Sequence, residues 1–220
     1  MKIVAISDTH NKHEKIVVPK GDVLIHAGDF SSHGTASELW TFLKWFAKLP
    51  HKHKLFIAGN HDRYLENLPP VGVNDVIKKN LGPDTGITYL LDTSIVIEGK
   101  KFFGAPWQPD FCNWAFQAPR GKSMAAKWHK IPQDTNVLIT HGPAYGNCDY
   151  VPKNSRHTGC LELLKRIVEI EPDYHICGHI HEAYGRSRSE EVKVTKFINA
   201  SCCDGKYSPT NKAQRIEYNV

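Results

Sequence analysis

Five short apolar segments that each end in Asp, Asn or His constrain the fold of this chain more than any other feature of its sequence. Each has the length and apolar composition of a strand that is buried on both faces of a sheet. With the polar residues that follow them, the segments span residues 3–10, 23–29, 54–62, 137–142 and 174–181. Because open α/β sheets bind ligands at the carboxyl ends of their strands, these polar side chains are expected to meet. All are metal-ligand residue types, so the pattern predicts a shared metal centre.

The rest of the pattern predicts one α/β domain over residues 1–220, with two β-sheets flanked by helices and no separate cap domain. Apolar residues at helical spacing predict helices at residues 36–49, 121–130 and 160–170, and a shorter one at 74–79. Either Thr35 or Ser37 is expected to cap the first helix. Further strands are predicted at residues 88–91, 94–97, 101–104, 192–198 and 214–218.

Composition and charge exclude several classes of protein. The 220 residues are 40% hydrophobic and 23% charged, which is typical of a soluble globular domain. The N-terminal apolar stretch is too short for a signal peptide, and no run reaches the ~18 apolar residues of a membrane span, so a cytoplasmic protein is predicted. A net charge of +5 favours small anions but does not predict a stable nucleic-acid partner. The choice between a monomer and a homodimer stays open.

Seven residues at the strand ends are candidate metal ligands: Asp8, His10, Asp29, Asn60, His141, His179 and His181. Residues i and i+2 in a loop that leaves a strand can point to one side, which pairs Asp8 with His10 and His179 with His181. Seven ligands are too many for one tetrahedral ion and suit two divalent ions with a shared ligand. Asp29 is the best candidate for that bridge, because it is a lone carboxylate on a central strand. With a bridging hydroxide, such a centre keeps a net positive charge to meet an anion.

This centre fits the hydrolysis of a phosphate ester. Two metal ions about 3.5–4 Å apart lower the pKa of the water between them and hold a phosphoryl oxygen. The leaving alkoxide still needs a proton, and His61 could supply it, because it is adjacent to a ligand without being needed as one. Asp62 could orient His61 or accept a hydrogen bond from a ligand imidazole. The mixed nitrogen and oxygen donors suit manganese, with iron, zinc, nickel or cobalt as alternatives.

The motifs at the strand ends resemble, in order and spacing, the five signature blocks of the calcineurin-like metallophosphoesterases. The matching residues are Asp8-x-His10, Gly28-Asp29, Gly59-Asn60-His61-Asp62, His141-Gly142 and Gly178-His179-x-His181. The resemblance implies a four-layer αββα sandwich, in which two mixed β-sheets lie between helices. It also implies that one ion is held by Asp8, His10, Asp29 and His181, and the other by Asp29, Asn60, His141 and His179. His61 would then be the general acid or a transition-state donor.

A narrower resemblance is to the metallophosphoesterase-domain-containing proteins, a subfamily linked to cyclic-nucleotide and other phosphodiesters. It rests on Gly104-Ala105-Pro106-Trp107-x-Pro109, Pro119-Arg120-Gly121, Thr140-His141-Gly142-Pro143, Gly159-Cys160-x-Glu162-Leu163-Leu164, His181-Glu182-x-Tyr184-Gly185 and Ile198-Asn199-Ala200-Ser201. Some members lack the first histidine of the Gly-His-x-His block, whereas this chain keeps it as His179, so an active enzyme is expected. No arginine follows Asp29 within residues 30–34, unlike in the protein phosphatases of the larger family, which disfavours a phosphoprotein substrate.

The expected function is therefore a two-metal phosphodiesterase that acts on a small substrate such as a 2′,3′- or 3′,5′-cyclic nucleotide. The candidate substrate contacts are Asn60, His61, Trp107 and Arg120. The aromatic loop over residues 107–116 could stack a nucleobase or could instead seal the second sheet. A phosphomonoesterase or nuclease with the same centre is one alternative, and a non-catalytic protein-binding scaffold is another. Retention of all seven ligands and His61 argues against the scaffold.

Overall fold

Two mixed β-sheets form the middle of the computed structural model, which describes residues 1–69 and 72–219. The strands of the first sheet are β1 (Lys2–Ile6), β2 (Val23–His26), β3 (His53–Phe56), β4 (Ile87–Tyr89) and β15 (Gln214–Glu217). Their order across the sheet is β15-β1-β2-β3-β4. Strands β1 to β4 run parallel, and β15 is antiparallel at one edge. The carboxyl ends of the first three strands therefore lie at the same edge of the sheet.

The second sheet has six strands. They are β5 (Thr93–Ile97), β6 (Lys100–Ala105), β9 (Val137–Thr140), β12 (Tyr174–Cys177), β13 (Gly185–Arg188) and β14 (Lys196–Asn199), in the order β13-β14-β12-β9-β6-β5. The four central strands are parallel and the two edge strands are antiparallel to them. Two small ladders pair β7 (Gln108–Pro109) with β8 (Gln117–Ala118), and β10 (Tyr150–Val151) with β11 (Arg156–His157).

Among the described residues, five α-helices connect these strands: α1 (Ala36–Ala47), α2 (Arg63–Glu66), α3 (Val73–Leu81), α4 (Lys122–Trp128) and α5 (Leu161–Ile170). Helix α1 begins with a capping box. The Thr35 hydroxyl accepts a hydrogen bond from the Glu38 amide at 3.2 Å, and the Glu38 carboxylate accepts one from the Thr35 amide at 2.8 Å. Of the two residues predicted as its N-cap, Thr35 is therefore the one that caps the helix.

Three separate apolar cores give the fold its four layers. In β1, Val4 and Ile6 face the core under α1 and α3, whereas Ile3 and Ala5 face the core between the two sheets. The same alternation in β9 divides its side chains between that middle core and a third one under α4 and α5. Each large apolar side chain that is fully buried stabilises the fold by about 1.5–3 kcal/mol. The arrangement confirms the predicted αββα sandwich of two mixed sheets between helices.

The structure departs from the predicted elements at the edge of the second sheet. Strand β13 was not predicted, because its residues alternate between half-buried and exposed and carry two arginines. Polar and charged side chains are usual on edge strands, where they discourage pairing with another chain.

Two other elements differ in length from the prediction. Strand β14 begins at Lys196 rather than at residue 192, and helix α3 extends beyond the predicted 74–79. In the described residues, no helix is both long enough and apolar enough to cross a membrane.

Candidate metal centre

The predicted ligands follow strands of both sheets and meet where the carboxyl ends of those strands converge. Asp8, Asp29 and Asn60 lie in the loops after β1, β2 and β3 of the first sheet. His141 and His179 lie in the loops after β9 and β12 of the second sheet. The side chains of Asp8 and His141 are completely buried, so each needs a polar partner within the protein in place of water. The structure thus brings polar groups from distant parts of the chain into one buried cluster.

One group of donor atoms comes from Asp8, His10 and His181, which each offer a ligand atom within 4.8 Å of the others. The Nε2 atoms of His10 and His181 are 3.2 Å apart, and His181 Nε2 is 3.3 Å from Asp8 Oδ1. Asp8 also accepts hydrogen bonds from the His179 amide and, at 2.8 Å, from the Ser201 hydroxyl. These bonds fix the carboxylate in one orientation.

A second group comes from Asp29, His141 and His179, again with ligand atoms within 4.8 Å of one another. His141 Nε2 is 3.3 Å from Asp29 Oδ2 and 3.0 Å from Asn60 Oδ1. Asp29 also has a ligand atom within 4.8 Å of one on His10, which belongs to the first group. This position between the two groups suits the bridging role expected of Asp29.

The outer nitrogens of the candidate histidines support metal binding. Nδ1 lies within hydrogen-bond distance of a backbone carbonyl oxygen in three of them: His10 with Ser31 at 3.2 Å, His141 with Ala27 at 2.9 Å, and His181 with Asp204 at 2.9 Å. Metal-ligating histidines usually donate their second N–H to such an acceptor, which fixes the tautomer and the ring orientation. Each Nε2 is then left to bind a cation. The residues present therefore fit two divalent ions.

The charges of the carboxylates also hold protons on this cluster when no cation neutralises them. Burial alone would lower the pKa of His141, but the adjacent Asp29 charge raises it to about 9. Burial is also the largest single effect on His181, but the bond to Asp8 and the charges of Asp8 and Asp29 together outweigh it and raise the pKa to about 8. Burial, together with the charge of His141, lowers the pKa of His179 to about 3. Because ligand imidazoles must be neutral, metal binding is expected to release protons from His141 and His181.

Two glycines of the sequence motifs leave space for the carboxylates. A Cβ at Gly59 would lie 2.2 Å from Asp29 Oδ1 and 2.7 Å from His141 Cε1. A Cβ at Gly178 would lie 2.1 Å from Asp8 Oδ2. Any side chain at either position would push a candidate ligand out of place. The glycines thus allow two loops, one from each sheet, to approach the ligands closely.

His61 is oriented by its neighbours in a way that suits proton transfer. Its Nδ1 lies 2.9 Å from the backbone carbonyl oxygen of Ser32, so Nε2 is the nitrogen left to exchange a proton with a substrate. Its ring packs against Trp114 at a centroid distance of 4.3 Å and edge-on against His10 at 4.7 Å. The His61 amide donates to Asp29 Oδ1 at 2.8 Å. The residue therefore lies beside the candidate bridge and faces the cavity.

Asp62 does not have either of the contacts expected from the sequence. Its Oδ2 accepts from the amides of Asp29 and Gly59 at 2.9 and 2.8 Å, and its Oδ1 accepts from the amide and hydroxyl of Ser31 at 3.0 and 2.6 Å. With four donors on one carboxylate, no bond is left for the His61 ring or a ligand imidazole. Burial and the charge of Asp29 raise the pKa of Asp62 to about 7, and the four bonds oppose that rise. Asp62 is a positioning residue that ties the loops after β2 and β3 together.

The aromatic loop divides between the two roles proposed for it. Trp107 donates from Nε1 to Asp92 at 2.7 Å and has the Lys127 ammonium group 3.2 Å from its ring centroid, away from the residues found to line the cavity. Trp107 therefore does not line the cavity, and its ring packs behind the site. Phe111 and Trp114 do line the cavity. The loop is irregular, so no period in the sequence could show which of its aromatic side chains are buried and which line the cavity.

Two arginines line the cavity and differ in what they bind. The guanidinium of Arg120 donates to the backbone carbonyls of Thr158 at 2.8 Å and Gly159 at 2.9 Å, so it fixes the loop after β11. These bonds give Arg120 a structural role, and its expected substrate contact stays a prediction. Within residues 1–69 and 72–219, Arg156 has no hydrogen bond or ion pair to another side chain. Arg156 is therefore the guanidinium that remains available to a ligand.

Tyr207 is a residue near the centre that the sequence interpretation missed. Its ring lies 4.8 Å from the ring of His10 and 5.0 Å from that of His181, and it lines the cavity. It occurs in the turn Asp204-Gly205-Lys206-Tyr207-Ser208-Pro209, where an aromatic residue among turn formers was the only available signal. The cavity above the two ligand groups has a volume of about 700 Å³. It is large enough for a nucleotide-sized ligand.

Comparison with known proteins places this geometry in a family. The model of the calcineurin-like phosphoesterases matches residues 1–183. Metallophosphoesterase domain-containing protein 1 of Homo sapiens is 38% identical over 229 residues, which cover 96% of this chain and 68% of that protein. UPF0046 protein K07C11.7 of Caenorhabditis elegans is 40% identical over 210 residues, covering 93% of this chain and 70% of that protein.

Solved structures show the same fold at low sequence identity. The structure of TT1561 of Thermus thermophilus has a TM-score of 0.57 and 11% identity, and covers 90% of this chain and 88% of its own. Another solved structure has a TM-score of 0.66 and 15% identity over 99% of both chains. The fold, the family model and relatives near 40% identity agree. The chain belongs to the calcineurin-like phosphoesterases, a family of metal-dependent phosphoester hydrolases with a dinuclear divalent metal centre.

Proposed function

We propose that this chain is a phosphodiesterase that cleaves small phosphodiesters, with cyclic nucleotides as the favoured class. The observation that carries this proposal is the cavity of about 700 Å³, whose lining extends well beyond the ligand groups. The lining includes Phe111 and Trp114 of the aromatic loop, and Tyr145 and Arg156 from the segments around β10 and β11. A diester has a substituent on each side of its phosphorus atom, so it needs room in two directions, whereas a monoester needs it in one.

The residues proposed to hold the two ions fall into two sets that share Asp29. They are Asp8, His10, Asp29 and His181 for one ion, and Asp29, Asn60, His141 and His179 for the other. When bound, two divalent cations polarise the phosphoryl group and lower the pKa of the attacking water. Manganese is the ion we favour, with iron, zinc, nickel or cobalt as alternatives for such mixed donors.

His61 is proposed to give a proton to the leaving oxygen. The Ser32 carbonyl holds its Nδ1, and Trp114 packs on the ring, so Nε2 is presented to the cavity in a fixed direction. An alkoxide is a poor leaving group without a proton, and a placed general acid contributes roughly 10²–10⁴-fold in rate. Since a nitrophenolate leaves readily without protonation, the role of His61 should depend on the leaving group.

Phe111 and Trp114 are proposed to contact the nucleobase or another planar substituent. Both line the cavity beside residues of the candidate centre: the ring of Phe111 is 5.0 Å from that of the candidate ligand His179, and the ring of Trp114 is 4.3 Å from that of His61. Stacking of a base on an aromatic side chain is worth about 1–3 kcal/mol and tolerates different bases. The affinity for a substrate is therefore expected to depend less on which base it carries than on whether it carries a planar ring.

The first experiment compares bis(4-nitrophenyl) phosphate with 4-nitrophenyl phosphate in metal-stripped protein and after addition of Mn²⁺. Manganese-dependent cleavage of the diester well above that of the monoester is the expected result, and 2′,3′- and 3′,5′-cyclic nucleotides then identify the natural class. Preference for the monoester would refute the proposal. Absence of any turnover, with two metal ions shown to be bound per chain, would refute it as well.

A pair of variants then tests the acid. His61→Gln should slow cleavage of a cyclic nucleotide by about 10²–10⁴-fold, but should slow release of 4-nitrophenolate much less. The matched control is His129→Gln, because His129 is an exposed histidine at the end of α4, remote from the cavity-lining residues. Equal losses for both leaving groups would show that His61 acts on something other than the leaving oxygen.

A further inference from the structure

Tyr207 lies closer to the candidate metal centre than its place in the sequence suggests. Its ring meets three histidine rings, those of His10 at 4.8 Å, His181 at 5.0 Å and His61 at 6.3 Å, all in edge-on geometry. Two of these are candidate ligands from opposite ends of the chain, and the third is the proposed acid. The phenol ring therefore borders the space in which a phosphoester would sit.

The turn that carries Tyr207 is built to hold this side chain in place. Its φ of +60° lies in the left-handed region, which a bulky residue seldom adopts unless its surroundings require it. The Asp204 carboxylate accepts from the amides of Lys206 and Ser208, both at 2.9 Å, and the Asp204 amide donates to the Ser208 carbonyl at 2.8 Å. The Lys12 ammonium group donates to the Tyr207 carbonyl from the other side.

The same turn supports a candidate ligand. The backbone carbonyl oxygen of Asp204 accepts from the Tyr207 amide at 2.8 Å and lies 2.9 Å from Nδ1 of His181. One peptide group thus sets the positions of both Tyr207 and His181. The backbone of Tyr207 is therefore fixed relative to His181, whose ring lies 5.0 Å from that of Tyr207.

The hydroxyl of Tyr207 has a free donor. Two other tyrosines satisfy theirs within the protein, since Tyr184 donates to the Lys212 carbonyl at 2.8 Å and Tyr218 donates to Asp173. In the part of the chain that the structure describes, no group accepts a hydrogen bond from Tyr207, which is 46% exposed and lines the cavity. A positioned ring with an unused O–H, facing an anion-binding centre, is suited to an anionic partner.

We propose that Tyr207 is a substrate-contacting residue whose hydroxyl donates a hydrogen bond to a phosphoryl oxygen of the bound phosphoester. The inference rests on the proposed function, because it assumes that a phosphoester binds at this centre. The bond would give the phosphoryl oxygen a hydrogen-bond donor in addition to the positive charge of the ions, and it involves no covalent step. The phosphoryl oxygen that accepts this bond is still present in the product after hydrolysis. Inorganic phosphate carries the same kind of oxygen and should therefore accept the same bond.

The test compares the whole protein with Tyr207→Phe, which keeps the ring and removes only the donor. The control is Tyr150→Phe, since Tyr150 has a similar exposure of 44% but packs on His157 and is not among the cavity-lining residues. Three quantities are measured for each protein loaded with Mn²⁺: kcat/KM for bis(4-nitrophenyl) phosphate, the Kd of inorganic phosphate by calorimetry, and bound manganese per chain.

Tyr207→Phe should lower kcat/KM by about 10- to 100-fold and weaken phosphate binding, as expected for loss of one hydrogen bond to a charged group, with manganese content unchanged. Unchanged kcat/KM and phosphate affinity would overturn the proposal. A parallel loss of manganese would also overturn it, because Tyr207 would then act through His181. If the unaltered protein turns over no phosphoester yet binds phosphate more tightly than Tyr207→Phe, the proposed function fails while the contact stands.

Discussion

Replacing Asp62 with asparagine tests whether one buried carboxylate holds the loops of the metal centre together. Each oxygen of Asp62 accepts two hydrogen bonds, one pair from Asp29 and Gly59 and the other from Ser31. Asparagine can present its carbonyl oxygen to only one pair, and its NH₂ group then faces two donors. Hydrogen bonds to charged groups are worth about 1.5–3 kcal/mol each, so two lost bonds cost about 3–6 kcal/mol.

Part of this loss can be recovered. If the amide turns its NH₂ group towards Ser31, the serine hydroxyl can rotate and accept one neutral hydrogen bond worth about 1 kcal/mol. The lost bonds therefore cost about 2–5 kcal/mol. Against this, the raised pKa of Asp62 means that its buried charge costs about 4 kcal/mol at pH 8, and asparagine is spared that cost. The two effects nearly cancel, so the free energy of unfolding at pH 8 should change by no more than about 2 kcal/mol, and the Asp29 and Gly59 amides should keep their acceptor.

The assay is urea unfolding of metal-stripped protein at pH 8, one unit above the pKa of about 7 that Asp62 has in the fold, so that the carboxylate is ionised. Asp84→Asn serves as the control, since Asp84 is exposed and its replacement should change the free energy of unfolding by no more than about 0.5 kcal/mol. A decrease of more than about 4 kcal/mol for Asp62→Asn would refute the reasoning, because the buried charge of Asp62 would then carry no cost in stability.

Three other substitutions test separate parts of the molecule. Gly178→Ala would place a Cβ 2.1 Å from Asp8 Oδ2, so Mn²⁺ affinity measured by calorimetry should fall by about 10- to 100-fold, and an unchanged affinity would show that the loop can yield. Arg156→Gln should raise the KM for anionic diesters by about tenfold without changing kcat, whereas Lys153→Gln on the same hairpin, outside the cavity-lining set, should change neither. Burial lowers the pKa of His175 from 6.5 to about 3, so the unfolded chain takes up a proton before the folded protein does, and stability is lost as the pH falls below 6.5. In urea unfolding between pH 7 and pH 5, the metal-stripped protein should lose about 2 kcal/mol relative to metal-stripped His175→Phe. Parallel pH profiles of the two proteins would contradict this.

The positions of the candidate ligands were accessible from the sequence because they obey a rule with few exceptions. A buried parallel strand must end at a sheet edge, and Asp8, Asp29 and His141 come directly or almost directly after such strands. Their residue types restrict the chemistry to metal binding, and no knowledge of long-range packing is needed. The αββα layers were predictable for a related reason, since alternation and helical periodicity indicate which faces must be covered.

What the sequence could not supply were contacts made by irregular loops. Trp107 and Trp114 belong to the same aperiodic segment, and only the fold shows that the first packs behind the site and the second lines the cavity. Asp62 resembled a partner of His61 by adjacency, yet its carboxylate points to amides from another loop. Tyr207 reaches the centre through a left-handed turn that no local periodicity encodes.

The origin of the ligands in both sheets has a consequence for the stability of the protein as a whole. Asp8 and His181 are far apart in the chain, and a cation bound between them would join the two sheets across their common edge. A ligand that binds only the folded state adds RT ln(1 + [L]/Kd), about 4 kcal/mol at a thousandfold excess over Kd. Resistance to heat and denaturant should therefore rise and fall with the supply of divalent ions. A chelator would lower the melting temperature as well as the activity. When metal is added back, activity would level off above Kd, whereas the melting temperature would keep rising with the logarithm of the free metal concentration.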